Sequence, residues 1–429
     1  MPYLNGDTGS TVDPEFHVRA RNMRIGTQFE WPDFSPNWTI TGRFEADFEG
    51  NFTRTLNRNI STIRSSQFSL RTAWGRLDRK INDNLDWFVL FGQDWTPFGS
   101  STLPNVVETT GLGLGFGALY ERDPQVRTGF VKNLGGARKV KLLPEFAITL
   151  PAFGNTPSNV ADQLGYGERQ GVDSGRPEIQ GRIVTQWQLD RAPGVAPAQL
   201  ITSFIQAERK ALIRAADVPA AYKAAFPNGG EVGSHRFGYT VELQLPTRAL
   251  TWQGKYYNGE DLRWYFVGQL YSNFNDTAGL TNVATAPSID GASTVAFGLQ
   301  NGKAVIAPER PVRTQGFLTD LGLPISRWFG VSPSSRAAGW SANLHYSIDQ
   351  IPAREARRLS GSRDKSDWAA FTLSYKMNNL VTWQFEESMY RTLAPNFTSN
   401  TQGGLFLLRG IPSHEWHDIR SELGMMFVF

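Results

Sequence analysis

Five histidines, His17, His235, His345, His414 and His417, are the imidazoles available for acid–base or metal chemistry, and all but the last two lie in separate segments. His414 and His417 are three residues apart at the entry of a strand-like segment, a spacing that puts them on opposite faces, so no metal site is expected. There is no cysteine, which removes thiolate ligands and disulfides together. No G-x-S-x-G elbow occurs. The run Gly111 to Gly117 reads GLGLGFG, which fails the spacing G-x-G-x-x-G and is followed by no βαβ unit, so dinucleotide binding is set aside. No catalytic role and no cofactor are expected.

The chemistry that remains is fixed charge. Arg43, Arg71, Arg127, Arg182, Lys255, Arg263 and Arg420 stand out of phase with their apolar neighbours, as do Glu45, Asp47, Glu242 and Glu422. A guanidinium held in a low-dielectric constriction grips a carboxylate at two points, so a ladder of them would favour anions. Taken singly, each is equally an ion pair that satisfies buried charge.

Placing charges on every second residue requires strands. Trp38, Ile40, Phe44, Ala46 and Phe48 alternate with Thr39, Thr41, Arg43, Glu45 and Asp47, giving one apolar and one charged face. Similar alternation recurs at Phe68, Leu70, Thr72 and Trp74, at Phe237, Tyr239, Val241, Leu243 and Leu245, and at Phe371, Leu373, Tyr375 and Met377. The last eleven residues, Ile419 to Phe429, repeat the pattern with Leu423, Met425, Phe427 and Phe429 on one side. A strand of this kind ending on phenylalanine matches the terminal insertion signal of transmembrane β-barrels, with Phe427 and Phe429 as its aromatic positions; the edge of a soluble sandwich would also alternate. Many segments reach the length of about ten residues that crosses a bilayer at a tilt.

Connections come in two sizes. Pro246 to Ala249 and the Asn378-Asn379 pair are short, the latter because asparagine tolerates positive φ. Residues 50 to 66, 95 to 125, 151 to 177, 209 to 235, 273 to 310 and 350 to 366 are long. Short turns on one rim and long loops on the other belong to an outer-membrane barrel. About sixteen strands are readable, with sixteen or eighteen as the even totals. The alternation of short and long links fails between residues 258 and 311, so either a strand lies near Ser293 to Asn301 or Leu250 to Tyr256 and Leu262 to Leu270 are connected differently. Lys210 to Arg214 and Ala220 to Phe226 read as a short helix inside an external loop.

Composition agrees with this layout. The 429 residues are 40% apolar, with no run long enough for a helical span, and 13 Trp, 12 Tyr and 28 Phe exceed what one core needs. The mean hydropathy of −0.34 is what a barrel gives when only alternate residues face lipid. A net charge of +3 is too balanced for a nucleic-acid protein. Met1 to Glu15 lacks a basic and an apolar signal region, so residues 1–15 are expected to be an N-terminal extension and 16–429 a single barrel domain.

The runs Met23–Glu30 (MRIGTQFE), Gly42–Phe48 (GRFEADF), Phe68–Trp74 (FSLRTAW), Phe91–Phe98 (FGQDWTPF) and Glu121–Arg127 (ERDPQVR) follow one another in an order that resembles the DcaP-like porins. Gln253–Tyr257 (QGKYY), Asp261–Tyr265 (DLRWY) and the hairpin at Asn378 and Asn379 are similar too. The resemblance implies a sixteen-stranded barrel of the bacterial outer membrane, assembled as a homotrimer and passing small anionic organic acids. It also implies that the segment with Trp95, Phe98, Glu108, Gly113, Gly115, Glu121, Arg122 and Asp123 is a loop folded into the lumen. The family's N-terminal helical extension and clear first strand are not evident here, and the glycine-rich run is unusual for it.

The expectation is therefore an all-β, transmembrane, antiparallel up-and-down β-barrel with an inward-folded constriction loop. Arg43, Glu45, Arg71, Arg127, Arg182, Lys255, Arg263 and Arg420 would line its pore. Its partners would be outer-membrane lipid and lipopolysaccharide, small anionic solutes, the barrel-assembly machinery and two further copies. The rivals are a soluble β-rich carbohydrate-binding protein, a barrel lipid hydrolase using a serine near His345, and a structural or adhesive barrel with a plugged lumen.

Overall fold

The computed structural model describes residues 23–50, 67–99, 117, 119, 121–150, 176–262, 273–289, 294–332, 334–352, 365–393, 407–408, 411–412 and 415–428. The 1–15 extension, a strand beginning at Phe16, Glu108, Gly113, Gly115, Arg263, His414 and Phe429 lie outside the described residues.

Alternating apolar and polar residues build one long meander. Its strands are β1 (Ile25–Ser35), β2 (Trp38–Gly50), β3 (Gln67–Asn82), β4 (Leu85–Trp95), β5 (Arg122–Gly135), β6 (Val140–Thr149), β7 (Glu178–Trp187) and β8 (Ala198–Ile213). They continue as β9 (Gly230–Pro246), β10 (Thr251–Glu260), β11 (Arg313–Leu323), β12 (Trp340–Gln350), β13 (Lys365–Lys376), β14 (Val381–Leu393) and β15 (Glu415–Phe427). Each is hydrogen-bonded to the next in sequence, giving a fifteen-stranded sheet among the described residues. Every pairing is antiparallel, as in the unbroken β9–β10 register from Gly238↔Gly259 to Pro246↔Thr251. No helix among the described residues is long and apolar enough to cross a membrane. The architecture is an antiparallel up-and-down β-barrel that crosses with strands.

The two faces of the sheet are inverted relative to a water-soluble protein. On β8, Leu200 and Phe204 are 38% and 43% exposed while Ser203 between them is 5% exposed. Ile183, Val241, Phe317, Leu344, Phe371, Phe385 and Leu423 extend this exposed apolar surface around the sheet. Thr240, Glu242, Ser347, Thr372, Glu386 and Ser388 are buried on the other side. A continuous apolar exterior over a polar interior suits hydrocarbon and would aggregate in water.

In four places the structure departs from expectation. On β3 the β2 register jumps from Glu45↔Thr72 to Ala46↔Leu70, leaving Arg71 as a bulged residue. The extra residue reverses the phase, so Phe68 and Leu70 are exposed but Thr72 is buried, and the expected single face splits. Lys210–Ile213 belong to β8, because they pair with Gly230–Gly233 of β9, and the expected helix shrinks to one 3₁₀ turn at Ala220–Tyr222. β10 pairs directly with β11, so residues 261–312 form one excursion; the expected strand near Ser293 exists as Thr294–Gln300, in a separate sheet with Thr281–Pro287 and Lys303–Ile306. At Asn378 the hairpin forms, but through the side chain: Oδ1 accepts from the Leu380 and Val381 amides at 2.8 Å, and the residue is not among those with positive φ.

The excursion has its own core. Val295 and Phe297 pack with Ala211 and Ile213 of β8 and with Val218 and Tyr222 of the β8–β9 connection, and the Tyr222 and Phe297 rings stack 5.7 Å apart. At the opposite rim, the short turns are tied together. Asp190 accepts from the Arg248 amide at 2.8 Å and from its guanidinium at 2.9 and 3.1 Å, and Arg327 Nη1 donates to the Arg248 carbonyl at 2.9 Å.

Replacing outward Ile183 by Arg should cost about 2–4 kcal/mol near the bilayer midplane, read as a lower urea midpoint in lipid vesicles; an unchanged midpoint would take that face out of the membrane. The Arg248 guanidinium, followed by two backbone amides, holds the Asp190 carboxyl well below its usual range. A depressed carboxylate stabilises the fold above its unfolded pKa of about 4 and loses that contribution as pH falls through the folded value. Arg248→Met should therefore lower the urea midpoint at pH 7, and the gap to the parent should shrink on acidification below pH about 4.

Candidate functional site

The site is the segment between β4 and β5 together with the wall it touches. Its roots are strand residues: Trp95 ends β4, Arg122 and Asp123 open β5, and Trp95 pairs with Arg122 across the ladder. These three were expected in the loop itself; the ladder reaches further than the motif suggested, and places them on the wall. Arg122 lies over the Trp95 ring at 5.1 Å. The Thr96 amide donates to the Glu121 carbonyl at 2.9 Å, closing the loop at its mouth.

Beyond this closure the described loop residues lie against the inner wall. The Phe98 amide donates to Gln180 Oε1 of β7 at 2.7 Å, and the Gly99 amide to Ser203 Oγ of β8 at 3.4 Å. Gly117 donates to Asp349 Oδ1 of β12 at 2.9 Å, and Lys255 Nζ of β10 donates to the Leu119 carbonyl at 3.1 Å. Gly117 has φ +77°, and a Cβ there would sit 2.5 Å from the Phe317 carbonyl oxygen, so glycine is required on both counts. Phe98 and Leu119 form a fully buried cluster with Ile205, Tyr257 and Leu262. One loop therefore touches strands from β7 to β12, which an inward-folded segment achieves and an external one does not.

Every described cation expected to line the pore has a carboxylate beside it. Arg43 Nη2 lies 2.5 Å from Glu45, and Arg71 bridges Glu45 at 2.7 Å and Asp47 at 2.6 Å. Arg127 pairs with Asp94 at 2.6 Å, Arg182 with Glu145, and Arg420 with Asp418 at 2.6 Å. Lys255 is 3.7 Å from Glu242 and nearly inaccessible. The structure thus gathers Arg43, Glu45, Arg71 and Asp47 into one cluster and spreads the others along the wall. The continuous basic ladder is corrected to a set of ion pairs, because a guanidinium over a polar wall gains most from a partner on the same or next strand.

Alternation alone missed Glu145 and Asp94 as partners, and Gln180, Ser203, Glu178 and Arg236 as wall residues; the last two form a fully buried ion pair at 2.8 Å. Cross-strand register, which a single sequence does not disclose, was the missing signal. Glu121, Asp123 and Glu178 come together, with one carboxylate oxygen of each within 4.8 Å of the others. Across the described residues, buried carboxylates (Asp47, Glu121, Asp123, Glu178, Glu242, Asp261, Glu309, Asp320, Asp349, Asp367 and Glu386) outnumber buried Arg127, Arg236 and Lys255. His345 is 4% exposed, faces inward and packs on Trp368 at 4.5 Å, so it does not join a serine on the lipid side.

Asp349 accepts from both Gly117 and the Tyr257 hydroxyl, the latter at 2.6 Å. Bonds to a charged acceptor contribute roughly 1.5–3 kcal/mol each, so Asp349→Ala should lower unfolding stability by at least that much in urea titrations.

No protein-family model and no curated protein matches the sequence. Among solved structures, the chain is similar to the outer membrane channel DcaP of Acinetobacter baumannii, with 13% identity, 96% of this chain and 86% of that chain covered, and a TM-score of 0.55. Pseudomonas putida OprB follows at 12% identity, 94% and 88% coverage and a TM-score of 0.42, and OmpT of Vibrio cholerae at 8%, 94%, 89% and 0.41. The resemblance read from short motifs and the similarity of backbones reach the same channel, and the chain has the fold of an outer-membrane channel barrel.

Proposed function

We propose that this protein is a passive porin of the bacterial outer membrane, assembled as a homotrimer, through which small anionic organic solutes such as dicarboxylates diffuse. The observation that carries the reading is the loop between β4 and β5 bound to the inner wall of a barrel whose exterior is apolar. That arrangement narrows a polar lumen without closing chemistry around it, so selection rests on width and fixed charge. Its surroundings would be outer-membrane lipid and lipopolysaccharide, reached through the barrel-assembly machinery.

Anion preference draws on the Arg43 cluster. The Arg43 side chain is 45% exposed against 15% for its partner Glu45, so the guanidinium edge meets the solvent. The opposite preference, for cations, has its own support in the excess of buried carboxylates. Buried acids act through the field alone, whereas Arg43 offers donors that a solute carboxylate contacts directly.

Planar-bilayer recording under a salt gradient decides between them. The expected result is current steps in threes, a reversal potential of anion-selective sign, and a shift toward cations in Arg43→Gln. A cation-selective sign would replace the anion reading, and inserted protein without conductance would remove the open-channel reading in favour of a plugged or structural barrel.

A further inference from the structure

We infer that Glu121, Asp123 and Glu178 form a binding site for a divalent cation, of the class of Ca²⁺, that fastens the mouth of the inward loop to the barrel wall. One oxygen from each carboxylate lies within 4.8 Å of the others, and all three residues are buried. The independent observation is Asp123: its side chain is 8% exposed, and its Oδ2 is buried with no hydrogen-bond partner among the described residues. A carboxylate oxygen withdrawn from water without a donor is costly, and Asp123 contributes one of its oxygens to the cluster where a cation would sit.

Charge leads the same way. Glu178 is already engaged, by Arg236 at 2.8 Å, by Gln180 Nε2 at 2.6 Å and by Thr149 Oγ1 at 3.4 Å. Three carboxylates gathered in one buried place concentrate negative charge that a divalent ion would offset. The donor set is all oxygen, which selects a hard cation, and its irregular spread over two strands and a loop end fits the adaptable coordination of Ca²⁺ better than the strict octahedron of Mg²⁺.

The position gives the ion a mechanical role. Glu121 is the last loop residue before β5, and its carbonyl already accepts from Thr96 at the loop's start, while Glu178 opens β7. A bound cation would join both loop ends to a strand two places along the wall.

The test uses full-length protein refolded without lipopolysaccharide, stripped with EDTA and titrated with CaCl₂ by calorimetry in detergent. The expected outcome is one saturable site per chain, weakened at least tenfold in Asp123→Asn and unchanged in Asp320→Asn, a buried carboxylate elsewhere. Terbium luminescence on the unmodified protein, displaced by CaCl₂, gives the same reading should Asp123→Asn fail to fold. No saturable binding, or equal binding in Asp123→Asn and the parent, would overturn the proposal. Calorimetry is independent of conductance, so a closed pore would not disturb the result.

Discussion

A backbone amide left unpaired in hydrocarbon costs several kcal/mol, and water is not there to relieve it. This requirement governs the rest of the molecule. It makes each strand bond its sequence neighbour from β1 to β15 and stretches the strands to 10–17 residues where soluble ones stop sooner. With the backbone consumed in ladders, the side chains alone distinguish the two faces. Alternation follows, with Phe204 outside and Ser203 inside on the same strand.

The interior inherits the opposite problem. A wall dense in polar side chains must satisfy them at low dielectric, and the pairs Arg71 with Asp47, Arg127 with Asp94 and Arg236 with Glu178 do so. Such pairs contribute little net stability and much order, because each fixes two long side chains against the wall. An inner wall so lined presents local dipoles rather than a uniform basic surface. At Arg43 and Glu45 the end of the dipole that reaches the solvent is the guanidinium.

Much of this was legible in the residues. The β2 alternation, the β15 closing pattern, the turn at Asn378 and the segment after Trp95 all announced themselves, because period-two patterning and turn chemistry are local signals. What escaped was nonlocal. The bulge at Arg71 reverses a face without any change in composition, and Lys210–Ile213 is alanine- and lysine-rich enough to read as helix until its pairing with β9 overrides propensity. The strand offered near Ser293 exists as Thr294–Gln300, but that its partners lie outside the main sheet was not legible. Among the site residues, the carboxylate partners of Arg71, Arg127 and Arg182 depend on register. No single-sequence rule reaches that far.

The same exhaustion of the backbone explains how the loop is held. Wall amides and carbonyls are already spent in the ladders, so a segment entering the lumen has only side chains to bind. Among the described residues, each loop amide bound to the wall finds a side-chain acceptor, Gln180 for Phe98, Ser203 for Gly99 and Asp349 for Gly117, while Lys255 supplies the donor for the Leu119 carbonyl. The loop contributes main chain and the wall contributes chemistry. The seating of its described residues is therefore written in the barrel, on strands far from it in sequence, through residues such as Asp349 and Lys255. Among the described loop residues, Phe98 and Leu119 add buried side chains that seat it.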